Sequence, residues 1–261
     1  MQMNSTPLTA ITREVSASIN NCELSFHDRE PIDLAKAIAQ HKAYQGCLAG
    51  LGVRVVTLPA EPELPDAVFV EDPAVVVKEV AVISNMGAPS RRPEAGSLAD
   101  ALSRYRPIKF LVDPATLDGG DVLRVDRRVF AGLSKRTNRE GIAQLSDILR
   151  PYDYEVQPVE VRGCLHLKSA CSYVGKNTIL INRSLIDAEP FREFELIDVP
   201  REEPAAANAL LVNDVVIIPS SFPETRALLE QRGFRVLTID MSELQKAEAG
   251  VTCSSLIFET A

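Results

Sequence analysis

One pattern recurs along this chain and limits the folds open to it: two apolar segments across a tight turn, a helical stretch, then a third apolar segment. Residues 74–77 and 81–84 pair across Lys78-Glu79, with Val68-Phe-Val70 leading in, before a helix near 94–104 and a strand at 108–112. The succession returns as a hairpin of 121–125 and 129–133, a helix near 138–149 and a strand at 154–161. A third round has 165–174 and 178–182, a weaker helical stretch and a strand at 195–199. The fourth runs through 207–212, 215–219, a helix at 224–232 and a strand at 235–240. Near the start, a helix over 33–50 leads through Gly50 and Gly52 into a strand at 53–59. The last segment, 251–258, needs 53–59 and its neighbours to complete a unit.

A polar residue opens the first strand of each unit: Asp72, Asp121, Lys168, Asn208 and Cys253, spaced 49, 47, 40 and 45 residues apart. A doubly wound sheet alternates single strands with helices, whereas here a hairpin precedes each helix. The expected fold is an α/β closed ring of about five strand-strand-helix-strand blades, with those five positions facing one central channel. No linker divides the 261 residues, so 1–261 reads as a single domain.

Composition narrows the partners. A net charge of -8 disfavours nucleic acid and anionic membrane surfaces and favours a cationic ligand. No stretch reaches membrane-spanning length, and the N-terminus has no apolar signal run. The five cysteines are scattered, without a C-x-x-C pair, so a reducing cytoplasm is the expected setting. No interface stripe stands out, which leaves monomer and homodimer open. Nucleotide loops, H-E-x-x-H and G-x-S-x-G are absent, and no metal or organic cofactor is expected.

A lone cysteine in an apolar strand is ordinarily a core residue. Cys253, however, holds the position where other units carry Asp, Lys and Asn, types that belong at a wet site. A thiolate there is a strong nucleophile, and a cation beside it favours its formation. His166, in Leu165-His-Leu-Lys-Ser169, is the candidate proton-transfer partner, with Asp118 able to orient its ring. The glycines of Asp118-Gly-Gly also fit a tight turn at positive φ. Asp66, Glu71 and Asp72 lie around the apolar Val68-Phe-Val70, so they are expected at a pocket floor, where buried carboxylates need a cation such as a planar guanidinium. Arg91, Arg92, Lys135 and Arg136 follow strands and supply a basic rim for a carboxylate. Such polarity suits an amino acid with a cationic side chain.

Six stretches in register carry a resemblance: Leu64-Pro-Asp-x-Val-Phe-Val-Glu-Asp72, Gly87-Ala-Pro-Ser-Arg-Arg92, Leu117-Asp-Gly-Gly-Asp-Val-Leu123, Gly132-Leu-Ser-Lys-Arg-Thr-Asn138, His166-Leu-Lys-Ser169 and Thr252-Cys253. Together they resemble the dimethylarginine dimethylaminohydrolases. The resemblance implies the five-bladed α/β propeller, or pentein fold, of guanidine-modifying enzymes. It also implies a cysteine hydrolase that converts asymmetric dimethylarginine or monomethylarginine to citrulline and an alkylamine through a thiouronium intermediate. In its terms Cys253 is the nucleophile, His166 the acid/base and Asp118 its support. Glu71 and Asp72 meet the guanidinium, Asp66 the α-amino group, and Arg91 and Arg136 the α-carboxylate. Leu24 on a lid and Ala247 offer backbone carbonyls. The segment Ala247-Glu-Ala-Gly250 departs from the family's usual Asp-Gly pattern. Deimination of free arginine and silent amino-acid binding are the rival readings.

Overall fold

Fifteen short strands are shared among five three-stranded sheets in a computed structural model that describes residues 7–260. In chain order the elements begin with β1 (Leu8–Arg13), α1 (Leu34–Gly50) and β2 (Arg54–Leu58). The first complete unit is β3 (Ala74–Val76), β4 (Ala81–Ile83), α2 (Ala95–Leu102) and β5 (Ile108–Phe110). The next has β6 (Val122–Val125), β7 (Arg128–Leu133), α3 (Arg139–Leu149) and β8 (Glu155–Glu160). A one-turn helix α4 (Leu167–Ala170) then precedes β9 (Cys171–Gly175), β10 (Thr178–Ile181) and β11 (Glu195–Asp198). Last come β12 (Leu210–Val212), β13 (Val215–Pro219), α5 (Pro223–Gln231), β14 (Arg235–Ile239), α6 (Ser242–Gln245) and β15 (Leu256–Glu259).

Each central strand runs antiparallel to the first strand of its sheet and parallel to the third, as in β6-β7-β8. The chain ends obey the same rule: β15 pairs antiparallel with β1, and β1 pairs parallel with β2. The first strands stand around the axis, β9 beside both β6 and β12 and β15 beside β3. Helix starts follow local chemistry. Asp33 caps α1 by accepting the Lys36 N–H at 3.0 Å, and Asn138 caps α3 by accepting the Gly141 N–H at 2.7 Å. Apolar clusters fill the spaces between blades and helices, and α1 buries Ala37, Tyr44 and Leu48 beneath the closing sheet.

The five-blade expectation holds, with local corrections. The closing sheet needs β1, which the sequence reading passes over. Thr9, Thr12 and Arg13 are buried in it, and Arg13 reaches Glu61 at 2.7 Å, so polar residues hide a central strand. Val68-Phe-Val70 is buried but turned rather than extended, with the Phe69 N–H bonded to Asp66 O. Residues 167–170 are a helical turn where a strand is expected, and β9 starts only at Cys171. Residues 251–254 are likewise a turn, and β15 begins at Leu256. Apolar runs this short cannot distinguish a buried turn from a buried strand.

Because β1 closes the ring and Ile11 is fully buried in it, Ile11→Ala should cost about 2–5 kcal/mol, read as a lower urea midpoint in equilibrium unfolding.

Candidate active site

Turns at the inner ends of the blades carry the site. His166 has an extended backbone, φ -138 and ψ 164, immediately before α4. Asp121 Oδ1 accepts the next N–H, from Leu167, at 2.8 Å, while its Oδ2 accepts the hydroxyls of Ser134 (2.6 Å) and Thr137 (2.7 Å). One fully buried carboxylate thus fixes the start of the His166 turn. The imidazole Nε2 lies 3.1 Å from Asp118 Oδ2, and Nδ1 lies 3.7 Å from Asp72 Oδ1.

The glycines after Asp118 serve close approach instead of positive φ, since neither lies at positive φ. A Cβ on Gly120 would stand 2.5 Å from His166 Nδ1 and 2.7 Å from Asp72 Oδ1, and one on Gly119 would stand 2.0 Å from the Glu71 carbonyl. Gly87 donates its N–H to Asp118 Oδ1 at 2.9 Å, which completes the hold on that carboxylate.

Cys253 is half-buried in the turn before β15, and its sulfur accepts the Gly250 N–H at 3.3 Å. Its carbonyl accepts the Glu71 N–H at 3.2 Å, tying the thiol's turn to the carboxylate pair. Glu71 bonds Lys168 Nζ at 2.5 Å and the Thr252 hydroxyl at 2.7 Å. Asn208 bridges Thr252 Oγ1 and the Lys168 carbonyl, so four of the five repeat positions lie in one linked group. Asp121, the fifth, supports this group through the Leu167 N–H beside Lys168.

Arg91 is not on a rim. It is buried, with Nη1 2.7 Å from Asp72 and its other donors on Glu94 at 3.0 and 2.9 Å. Arg136 is also buried: Nη2 donates to Ser25 Oγ at 3.2 Å, and Nη1 lies 3.8 Å from Asp118 with no hydrogen-bond partner. Asp66 accepts the Glu23 N–H at 3.1 Å. Leu24 is half-buried and packs on the cluster that contains Ala247, which brings the two residues expected to offer carbonyl acceptors into one apolar cluster. Asp121, Lys168 and Glu94 were not expected as site residues. Their signal was present only in the repeat register for the first two, and Glu94 reads as an ordinary helix-start acid.

The electrostatics follow from burial of like charges. Burial would lower His166, but the charges of Asp72, Asp118 and Asp121 outweigh it and raise the imidazole to about 9. Burial would raise Asp72, yet His166, Arg91 and Lys168 hold it below its ordinary value. Burial lifts Glu71 above the usual carboxylate range despite Lys168, and lifts Asp121 to about 6. The Cys253 thiol is pushed up to about 12 by burial, with Glu71 and Asp72 adding to the shift. Asp72, Asp118 and His166 bring three possible metal-ligand atoms within 4.8 Å of one another. Each ring nitrogen faces a carboxylate, Nε2 toward Asp118 and Nδ1 toward Asp72, an arrangement that suits a proton-bearing imidazole.

A five-bladed α/β ring with a thiol, an imidazolium and paired carboxylates at its axis defines the pentein class. The family model described as N,N dimethylarginine dimethylhydrolase, eukaryotic, matches residues 6–259. The N(G),N(G)-dimethylarginine dimethylaminohydrolase of Pseudomonas aeruginosa is 36% identical over 250 residues, covering 95% of this chain and 98% of that protein. That of Streptomyces coelicolor is 34% identical, covering 95% of each. A solved structure of the Pseudomonas enzyme, a cysteine-to-serine mutant with citrulline, superposes with a TM-score of 0.92 over 97% of this chain and 99% of that one, at 34% identity. The chain belongs to the dimethylarginine dimethylaminohydrolase family.

The raised His166 contributes stability that is fully present below its unfolded value of 6.5 and is lost as pH rises through about 9. Accordingly, NMR titration should place the His166 midpoint near 9. Asp72→Asn should lower that midpoint and flatten the fall in stability between pH 6.5 and 9.

Proposed function

We propose that this protein hydrolyses ω-N-methylated arginine, asymmetric dimethylarginine or monomethylarginine, to citrulline and an alkylamine, with Cys253 as nucleophile. The observation that carries the reading is the half-buried thiol of Cys253 beside two buried carboxylates, Glu71 and Asp72, within a network that also holds the imidazolium of His166. Family membership supports it. Buried carboxylates call for a cation, and a planar guanidinium satisfies two of them at once.

In the resting site Arg91 supplies that cation to Asp72. A substrate guanidinium that takes its place frees Arg91 Nη1 for the substrate's α-carboxylate, beside the unpartnered Nη1 of Arg136. Asp66, with the carbonyls of Leu24 and Ala247, then receives the α-amino group. The proton of Cys253 leaves to solvent as the cation docks, and the thiolate adds to the guanidinium carbon. His166, charged at neutral pH, donates its proton to the departing alkylamine as the C–N bond breaks, leaving an S-linked thiouronium. The neutral ring, still held by Asp118, takes a proton from water. Water adds to the same carbon, the C–S bond breaks and citrulline leaves with the thiolate restored. Every proton is moved by side chains of the site or solvent, so the scheme calls on no cofactor. The five free cysteines suit a reducing, cytoplasmic setting, and we keep monomer and homodimer as the two assemblies.

Citrulline release from dimethylarginine, monomethylarginine and arginine, assayed in parallel, should be fastest for a methylated form. Cys253→Ser should cut turnover by at least about 10³-fold while still binding substrate in calorimetry. Faster turnover of free arginine would transfer the assignment to deimination, and binding without turnover by the native chain would reduce it to a silent binder.

A further inference from the structure

The segment from Cys22 to Ile32 has no regular secondary structure and an exposed tip, yet its backbone is tied down at several points. At its base, Asn20 clasps the Ile32 N–H and carbonyl at 2.8 and 3.0 Å, and Lys246 Nζ donates to Pro31 O at 3.0 Å. At its tip, the N–H groups of Ser25, Phe26 and His27 all converge on one oxygen, Oε1 of Glu248, at 2.9, 2.5 and 2.7 Å. Three consecutive amides aimed at one carboxylate form an anion nest, and charge-assisted bonds of this kind are stronger than neutral ones.

Glu248 holds this position at a conformational cost. Its φ is 59, in the left-handed region where glycine is at home and a glutamate is strained. It stands in the very segment, Ala247-Glu-Ala-Gly250, where the chain departs from its family's pattern. Two residues on, Gly250 donates its N–H to the Cys253 sulfur. The same tip meets residues assigned to the substrate: Asp66 accepts the Glu23 N–H, and Arg136 donates to Ser25 Oγ. Beneath it lies a cavity of about 310 Å³ whose walls include Phe26, His27, Cys164, Asn208, Glu248 and Gly250.

We propose that Glu248 is the latch of the lid: a positioning residue whose carboxylate holds the Ser25–His27 amides closed over the site and so sets how tightly substrate is kept. The claim about substrate rests on the function proposed above, whereas the claim about the lid does not.

Two variants separate latch from scaffold. Glu248→Gly removes the carboxylate and also relieves the strained φ, so the fold should melt no lower than the native protein. Glu248→Gln keeps an acceptor but loses its charge. In the ligand-free protein, hydrogen exchange at Ser25, Phe26 and His27 should rise at least about tenfold in Glu248→Gly, and less in Glu248→Gln, with the amides of β10 unchanged. With dimethylarginine, KM should rise at least about fivefold while kcat moves less than about twofold. Exchange at the three amides staying within about twofold of native in both variants overturns the latch. A fall in kcat with KM unchanged overturns its role in substrate retention. If the native protein turns over no methylated arginine, the exchange result still decides the latch while the functional reading falls.

Discussion

Carboxylates of Asp66, Glu71, Asp72, Asp118 and Asp121 are buried around one axis, and so much like charge out of water is stable only with cations among it. The fold supplies them from different blades. Arg91 sits on Asp72, Lys168 on Glu71, and the charged ring of His166 between Asp72 and Asp118. The pairings of Lys168 and His166 are also ties between blades, because these two come from the turn at α4 while Glu71 and Asp72 come from the turn before β3. Removing one cation leaves a buried anion uncompensated, commonly a loss of 3–5 kcal/mol. The glycines belong to the same constraint: with any side chain at 119 or 120, the carboxylates and the imidazole could not approach this closely.

The ring architecture was legible because it repeats. Five units, each with its hairpin and polar opening residue, say more together than any single periodic segment. Sequence reasoning failed where burial does not follow alternation. β1 hides behind Thr9, Thr12 and Arg13, which meet Thr260, Thr57 and Glu61. The turn at 68–70 looks like a strand because Val68-Phe-Val70 is apolar and buried, and 167–170 because it runs directly into β9. At the site, Cys253 stood out by its place in the repeat, and His166 and Asp118 by residue type and motif. Arg91 was placed on a rim because a sequence shows that an arginine is present, not which of several acids will claim it. Glu248 carried no signal as a site residue, since a carboxylate that captures three amides from a segment more than two hundred residues away is a product of tertiary structure alone.

In the mechanism proposed above, the two proton-bearing groups of the site set the order of events. With the thiol pushed up to about 12 and the imidazole to about 9, both hold their protons at neutral pH. A neutral histidine poised to take the thiol's proton, as in a serine–histidine pair, is therefore not the resting state. In the proposed scheme His166 therefore begins as an acid, and activation of Cys253 comes from the substrate. Bringing a thiol from about 12 to about 7 requires roughly 7 kcal/mol at 1.36 kcal/mol per unit. A guanidinium in contact with the thiolate supplies about 4 kcal/mol at an effective dielectric of 20. The cation acts in a second way as well. By binding Glu71 and Asp72 it cancels the two charges that, after burial, hold the thiol up. A neutral guanidine analogue would do neither, so in the proposed scheme the acidic floor is a selector that keeps the nucleophile silent until a cation of the right shape has displaced Arg91.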